Sequence, residues 1–172
     1  MRIEHYLTAS AARNGGKTAI VSGETRLNYD RLLDLSTRLA TALHSQGAGR
    51  GDRVLILLDN GWRTAVAVLA TWMTGAAICP VNPSTKAQRL SAITSDCEPA
   101  LVIVEGRLER LVADCPALAT LPRLVTDEAG SFDAALEAAL MPPARVLAKA
   151  AAAAEIYTSG STGEPKGVMH SH

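Results

Sequence analysis

Between Tyr157 and His172 the chain reads Y-T-S-G-S-T-G-E-P-K-G-V-M-H-S-H, a run whose residue types suit the cradling of a polyphosphate. The hydroxyls of Thr158, Ser159, Ser161 and Thr162 can donate hydrogen bonds to phosphate oxygens. Gly160, Gly163 and Gly167 let the backbone approach closely and take positive φ without a Cβ clash. Successive N–H groups in such turns form anion-binding nests, and Lys166 adds a full positive charge.

The spacing differs from the Walker loop, G-x-x-x-x-G-K-(S/T), in which lysine follows glycine directly at a helix N-terminus. Here Glu164 and Pro165 separate Gly163 from Lys166, and Pro165 biases Glu164 towards an extended conformation. Ile156 and Tyr157 before the loop, with Val168 and Met169 after it, predict a strand–loop–strand hairpin. A solvated Ser/Gly/Thr turn is the plain alternative. The length of the glycine, hydroxyl and lysine run argues against it.

A hairpin of this kind needs a scaffold, and the upstream sequence alternates strand and helix. Ala19–Val21 and Arg26–Asn28 predict a short hairpin around Ser22-Gly23-Glu24. Asn28 suits the cap of the next helix, with Asp30 near its positive end. Leu32, Leu35, Leu39 and Leu43 then recur at helical spacing up to Gly47. Val54–Leu58 is an apolar run of the kind buried on both faces of a parallel sheet.

Asp59 or Asn60 is expected to cap a second helix with core residues Trp62, Ala65, Val66, Leu69 and Met73, stopped by Gly75. Ala76–Val81 reads as a strand, 85–95 as a helix and Leu101–Val104 as a strand. Weaker signals follow for a helix at Leu108–Ala113, a strand at Leu124–Val125 and a helix over Ser131–Leu140. The expected fold class is therefore α/β, a mainly parallel sheet with flanking helices. Pro142-Pro143 ends that last helix, and residues 142–154 read as a Pro/Ala-rich linker.

Composition bounds the remaining possibilities. With 172 residues and 48% apolar content the chain can bury a sizeable core. Seventeen basic and 17 acidic residues balance, so there is no electrostatic footprint for nucleic acid, and 3% aromatics leave few stacking platforms. No run reaches the length of a membrane span and the N-terminus has no signal-peptide core. Cys79, Cys97 and Cys115 show no C-x-x-C spacing and read as buried thiols of a reducing compartment. A cytoplasmic protein is expected.

Other residues read as structural. Trp62 and Trp72, on one predicted helix, are expected in the core or at a subunit contact. His5 and His44 are expected at the surface. His170 and His172 have no visible third ligand, so no metal site is assigned. Gly47-x-Gly-x-Gly51 precedes a strand instead of following one and reads as a loop, not a dinucleotide fingerprint.

The hairpin resembles the phosphate loop of the adenylate-forming ligases, the superfamily of acyl-CoA synthetases, aryl-acid ligases, luciferases and peptide-synthetase adenylation domains. Their pattern, close to Y-T-S-G-(S/T)-T-G-x-P-K-G-V, is met from Tyr157 to Val168, with Ser171 and His172 closing it. Further similarities run in family order. They are Thr18 to Leu32, the glycines before Asp52-Arg53-Val54, Leu58 to Asn60, Leu69 to Ala76, and P-V-N-P at Pro80 to Pro83. The sequence departs from common family patterns at Ala150 or Ala151, at Glu155, and at Arg89, where relatives often carry glutamate.

The resemblance implies that residues 1–172 form the N-terminal part of the large ligase domain, with residues 157–168 as its phosphate loop. The small C-terminal domain is then expected to be absent, and a chain ending at His172 inactive alone. It implies ATP with Mg²⁺ as cofactor, the Mg²⁺ ligand lying outside this chain, and a carboxylic acid as substrate. The acyl-adenylate would pass to coenzyme A or to the phosphopantetheine thiol of an acyl carrier protein, and the start at Met1 leans the reading towards an acyl- or aryl-CoA ligase. Thr158, Ser159, Gly160, Ser161, Thr162, Gly163 and Lys166 would bind the ATP phosphates, with Lys166 in the catalytic role. The alternative is a catalytically dead nucleotide-binding or docking module that pairs with a complementary ligase fragment, and a homodimer is also left open.

Overall fold

A computed structural model describes residues 3–127, 130–138, 154–159 and 165–170. The chain opens with helix α1 (Ile3–Asn14), then an antiparallel hairpin of β1 (Thr18–Ser22) and β2 (Thr25–Asn28). Helix α2 (Tyr29–Ser45) leads to strand β3 (Arg53–Leu57), helix α3 (Trp62–Thr74) and strand β4 (Ala77–Pro80). Helix α4 (Ala87–Cys97), strand β5 (Leu101–Glu105), the short helix α5 (Glu109–Ala113) and strand β6 (Arg123–Thr126) come next. Helix α6 (Ser131–Ala138) precedes the final pair, β7 (Ala154–Ser159) and β8 (Pro165–His170).

Six strands form one sheet in the order β6-β5-β3-β4-β7-β8. All pairings are parallel except the last, where β7 and β8 run antiparallel. The expected α/β class and the closing hairpin are thus both present. Alternation along each strand divides the core in two. Val54, Ile56, Ile78, Leu101, Ile103 and Leu124 face one cluster with α2, α3 and α6. Leu55, Leu57, Cys79, Val102, Val104 and Val125 face the other with α4 and the α5 region. Both faces are covered, so the strands read as continuous apolar runs instead of alternating ones.

Helix α2 follows the sequence closely. Asn28 holds an extended conformation, and its Oδ1 accepts the N–H of Arg31 at 2.8 Å. Leu32, Leu35, Leu39 and Leu43 are all buried. Replacing Asn28 with alanine removes the partner of an otherwise orphaned N–H and should cost about 1 kcal/mol, read as a shift of the urea midpoint at constant slope.

Helix α3 differs from expectation at its start. Its N-cap is Gly61, with no side-chain cap, in place of Asp59 or Asn60. Asp59 is instead recruited by partners outside the helix: its N–H bonds Glu105 and its carboxylate pairs with Arg107. Of the expected face, Val66 and Met73 are buried and Trp62 and Leu69 pack partly buried against the core, while Ala67, Ala70, Thr71 and Thr74 widen the buried face beyond it and Ala65 is partly buried. The small residues Ala67, Ala70 and Thr71 permit a close approach that the larger side chains would block. Gly75 ends the helix as expected, in the left-handed region at φ 85°.

Helix α1 corresponds to no element expected from the sequence. Among its described side chains Leu7 and Ala11, four residues apart, are the buried ones. Ala154, assigned to the linker, opens β7, and the rest of that linker lies outside the described residues. The three cysteines are buried, His44 is exposed and His5 partly so, and both tryptophans are partly buried against the core. His172 lies outside the described residues. Among the described residues no helix is long and apolar enough to cross a membrane.

Candidate functional site

In a parallel sheet every strand ends at the same edge, and ligands bind beyond the carboxyl ends where successive crossovers leave on opposite faces. Here that point lies between β3 and β4. Helix α3, following β3, packs into the first cluster, whereas α4, following β4, packs into the second. A cavity of about 330 Å³ occupies the crevice, walled by Leu58, Asp59, Asn60 and Thr64 on one side and by Val81 and Asn82 on the other.

A larger cavity of about 730 Å³ shares the Pro80–Asn82 wall and extends along the β4–α4 loop to Tyr157. The loop has its own scaffold: the N–H and Oγ of Ser84 both donate to Asn82 Oδ1 at 2.8 Å, and Asn82 O accepts the N–H of Thr85 at 2.9 Å. Tyr157 Oη donates to Asp96 Oδ2 at 2.6 Å, tying β7 to α4 across 61 positions of sequence.

Strands β7 and β8 bring Thr158, Ser159 and Lys166 to this edge. Their register pairs Tyr157 with Gly167, Thr158 with Lys166 and Ser159 with Pro165. Thr158 and Lys166, eight apart in sequence, are therefore direct partners in the ladder, with the Cα spacing of about 5 Å usual for an antiparallel pair. Gly160, Ser161, Thr162 and Gly163 lie outside the described residues.

A polar network fastens the loop after β3. Asp59 N–H donates to Glu105 Oε1 at 3.2 Å, Thr126 Oγ1 donates to Glu105 Oε2 at 3.2 Å, and Arg107 Nη2 meets Asp59 Oδ2 at 2.6 Å. Thr64 Oγ1 donates to the Asp59 carbonyl. Glu105 thus joins the ends of β3, β5 and β6. The charged pair is more than half exposed and contributes at most about 1 kcal/mol. Its effect is to hold the crevice wall in one position.

Sequence reasoning did not pick out Asn82, Lys86, Glu105 or the Tyr157–Asp96 bond as parts of this edge. The one available signal was P-V-N-P-S-T, in which asparagine two residues before serine favours an Asx turn. Among the described residues no three His, Cys, Asp or Glu side chains cluster to hold a metal ion, so no magnesium ligand is assigned.

The model for AMP-binding enzyme matches residues 7–172. Tyrocidine synthase 3 of Brevibacillus parabrevis is 31% identical over 170 residues, which span 99% of this chain and 2% of that protein. The inhibitor-bound N-terminal domain of FACL13 from Mycobacterium tuberculosis superposes with a TM-score of 0.88 at 27% identity, covering 99% of this chain and 44% of that one. The nonribosomal peptide synthetase FmoA3, in its α-methyl-L-serine-AMP bound form, superposes at 0.82 with 27% identity, covering 100% of this chain and 18% of that one. The chain therefore spans less than half the length of these relatives. Its phosphate-loop motif, its sheet and the family match along nearly its whole length agree: the chain belongs to the AMP-binding enzymes, the adenylate-forming ligases, and has the fold of the N-terminal domain of that family.

Proposed function

We propose that the protein carrying these residues activates a carboxylic acid with ATP and passes the acyl group to a thiol. A carboxylate oxygen attacks the α-phosphorus, the bond to the β,γ-diphosphate breaks, and an acyl-adenylate and pyrophosphate result. The thiol sulfur then attacks the acyl carbon, AMP departs with its oxygen, and the thiol proton goes to solvent. Magnesium, when bound with ATP, supplies charge neutralisation on the phosphates.

What carries the reading is the β7–β8 register, which sets Thr158 against Lys166 at the carboxyl edge of the sheet. In this reading Thr158, Ser159, Gly160, Ser161, Thr162 and Gly163 offer hydroxyl and backbone donors to the β- and γ-phosphates. Lys166 neutralises charge that grows on the departing pyrophosphate. Donors already in place cost no reorganisation as that charge develops.

The thiol is that of coenzyme A or of a phosphopantetheine arm on a carrier protein. The similarity to tyrocidine synthase 3 and FmoA3, a peptide synthetase, supports the arm. The buried cysteines suit a reducing compartment, and cytoplasmic residence belongs to the same reading.

The deciding experiment is carboxylate-dependent ATP–pyrophosphate exchange by the full-length protein against a panel of fatty, aryl and amino acids. At least one acid should support exchange, and acyl transfer to coenzyme A or to a holo carrier protein then names the acceptor. ATP binding without exchange on any acid would instead mark a docking module.

A further inference from the structure

The closing hairpin leaves the parallel sheet early, and Pro80 is the reason. Ala77 and Val81 donate their N–H groups to the carbonyls of Asp52 and Ile56, each at 2.9 Å, on the β3 side. Alternate residues of a strand turn to opposite neighbours, so Ile78 and Pro80 face β7. Proline has no N–H to give, and among the described residues β4 pairs with β7 at Ile78 and Ala154 alone. Ser159, the last residue of β7, lies five residues further on, roughly 16 Å at the usual strand rise.

Beyond Pro80 the described support comes from α4. The Tyr157 ring packs, half-buried, against the cluster that contains Leu90 and Ile93 of that helix. Its hydroxyl donates to Asp96, three residues past Ile93 on the same helix face, at 2.6 Å. That length is usual for a hydroxyl donating to a carboxylate. Ile156 and Val168, partners across the ladder, are exposed. Asp96 stands in the last turn of α4, beside the negative end of the helix dipole, and that turn carries no basic residue. The carboxylate is thus placed against the preference of its own helix, and the partner it meets is on the hairpin.

We infer that Asp96 is a positioning residue for adenylation. By accepting the Tyr157 hydroxyl it fixes the angle at which the β7–β8 hairpin stands over the sheet edge. The next pair of the ladder, Thr158 with Lys166, is thereby set in place. The part played by that pair rests on the ligase reading, whereas the tether does not. A hairpin so held meets the ATP phosphates in one orientation. Released, it also adopts others, and ATP must select the competent fraction, which lowers the apparent affinity. Once bound, ATP itself holds the hairpin where turnover needs it.

The test is a double-mutant cycle in the full-length protein, with Asp96→Ala, Tyr157→Phe and the two combined. Tyr157→Phe keeps the ring in its packing and Asp96 is exposed, so both variants should fold. Calorimetric titration with Mg²⁺-ATP, without acid, should show each single variant binding about tenfold more weakly, the scale of one hydrogen bond to a charged group. The combined variant should also lose about tenfold, and not about a hundredfold, because both substitutions break the same bond. Asp96→Asn, which keeps an acceptor oxygen, should bind more tightly than Asp96→Ala. In pyrophosphate exchange the single variants should raise the KM for ATP and leave kcat near the parent value.

A change confined to the urea midpoint, with ATP affinity intact, would make the bond merely structural and overturn the proposal. Losses that add in the combined variant would overturn it too. Either result, with exchange intact in the parent, leaves the ligase reading standing. Coupled losses of ATP affinity in a protein with no exchange on any acid would remove the ligase reading and keep the tether. A parent that binds no ATP would overturn both.

Discussion

Lys166→Ala in the full-length enzyme is expected to slow ATP–pyrophosphate exchange by about 10²–10³-fold, the loss typical when one preorganised donor to a developing anion is removed. The expectation follows from position as well as charge. Lys166 lies on β8 opposite Thr158, so the ladder presents it at a set place instead of on a free loop. A lysine that only attracted ATP from solution would raise KM and leave kcat unchanged, because ground and transition states would lose equally. A lysine that neutralises the leaving pyrophosphate should lower kcat itself.

Stability should change little. β8 is the outer strand of the sheet, and the neighbouring Gly167 and Val168 are exposed, so the substitution should fall within about 0.5 kcal/mol. An exchange rate equal to that of the parent enzyme, with ATP saturating, would remove Lys166 from the mechanism. Lys166→Arg keeps the charge but alters its reach, and intermediate exchange is expected from it.

Phe132→Ala should give the largest loss of stability, about 3–5 kcal/mol. Phe132 is the one phenylalanine of the chain and is fully buried on α6, in the cluster that includes Leu124 and Leu136. Truncation removes the ring from an apolar contact and leaves a void that the sheet and α2 cannot close without moving. The adjacent residue offers a control. Asp133 holds Arg63 through two contacts, at 2.8 and 3.3 Å, while Arg63 lies 4.6 Å above the Trp62 ring.

That bridge joins α3 to α6 and looks like the stronger tie, yet its partners are 40% and 33% exposed. Solvent screening limits it to about 1 kcal/mol. Urea denaturation of Phe132→Ala and Asp133→Ala at constant slope separates the two. If Asp133→Ala costs as much as Phe132→Ala, α6 is held by charge and the packing argument fails.

The parts of this protein that were legible in its sequence share a physical scale. Asn28 caps α2 through a bond spanning three residues, the α2 leucines repeat every three or four, and Gly75 closes α3 in a left-handed turn. The β7–β8 hairpin follows from apolar residues on either side of a glycine-rich loop, and its register brings together residues eight apart. Each effect acts between near neighbours, so composition and spacing suffice to state it.

Helix α1 escaped because, among its described side chains, Leu7 and Ala11 alone are buried, too short an apolar stripe to read. The cap of α3 was misjudged because Asp59 had a choice between its own helix and Glu105 and Arg107, 46 and 48 residues away. By itself, then, the sequence determined the closing β7–β8 hairpin, the α/β class and the family. Only the tertiary structure decided the strand order, the crevice between β3 and β4, and the Tyr157–Asp96 bond beside the cavity that the β4–α4 loop lines. Those features depend on which distant segments exclude water together. That choice is made by the burial free energy of the whole core and not by any local run of residues.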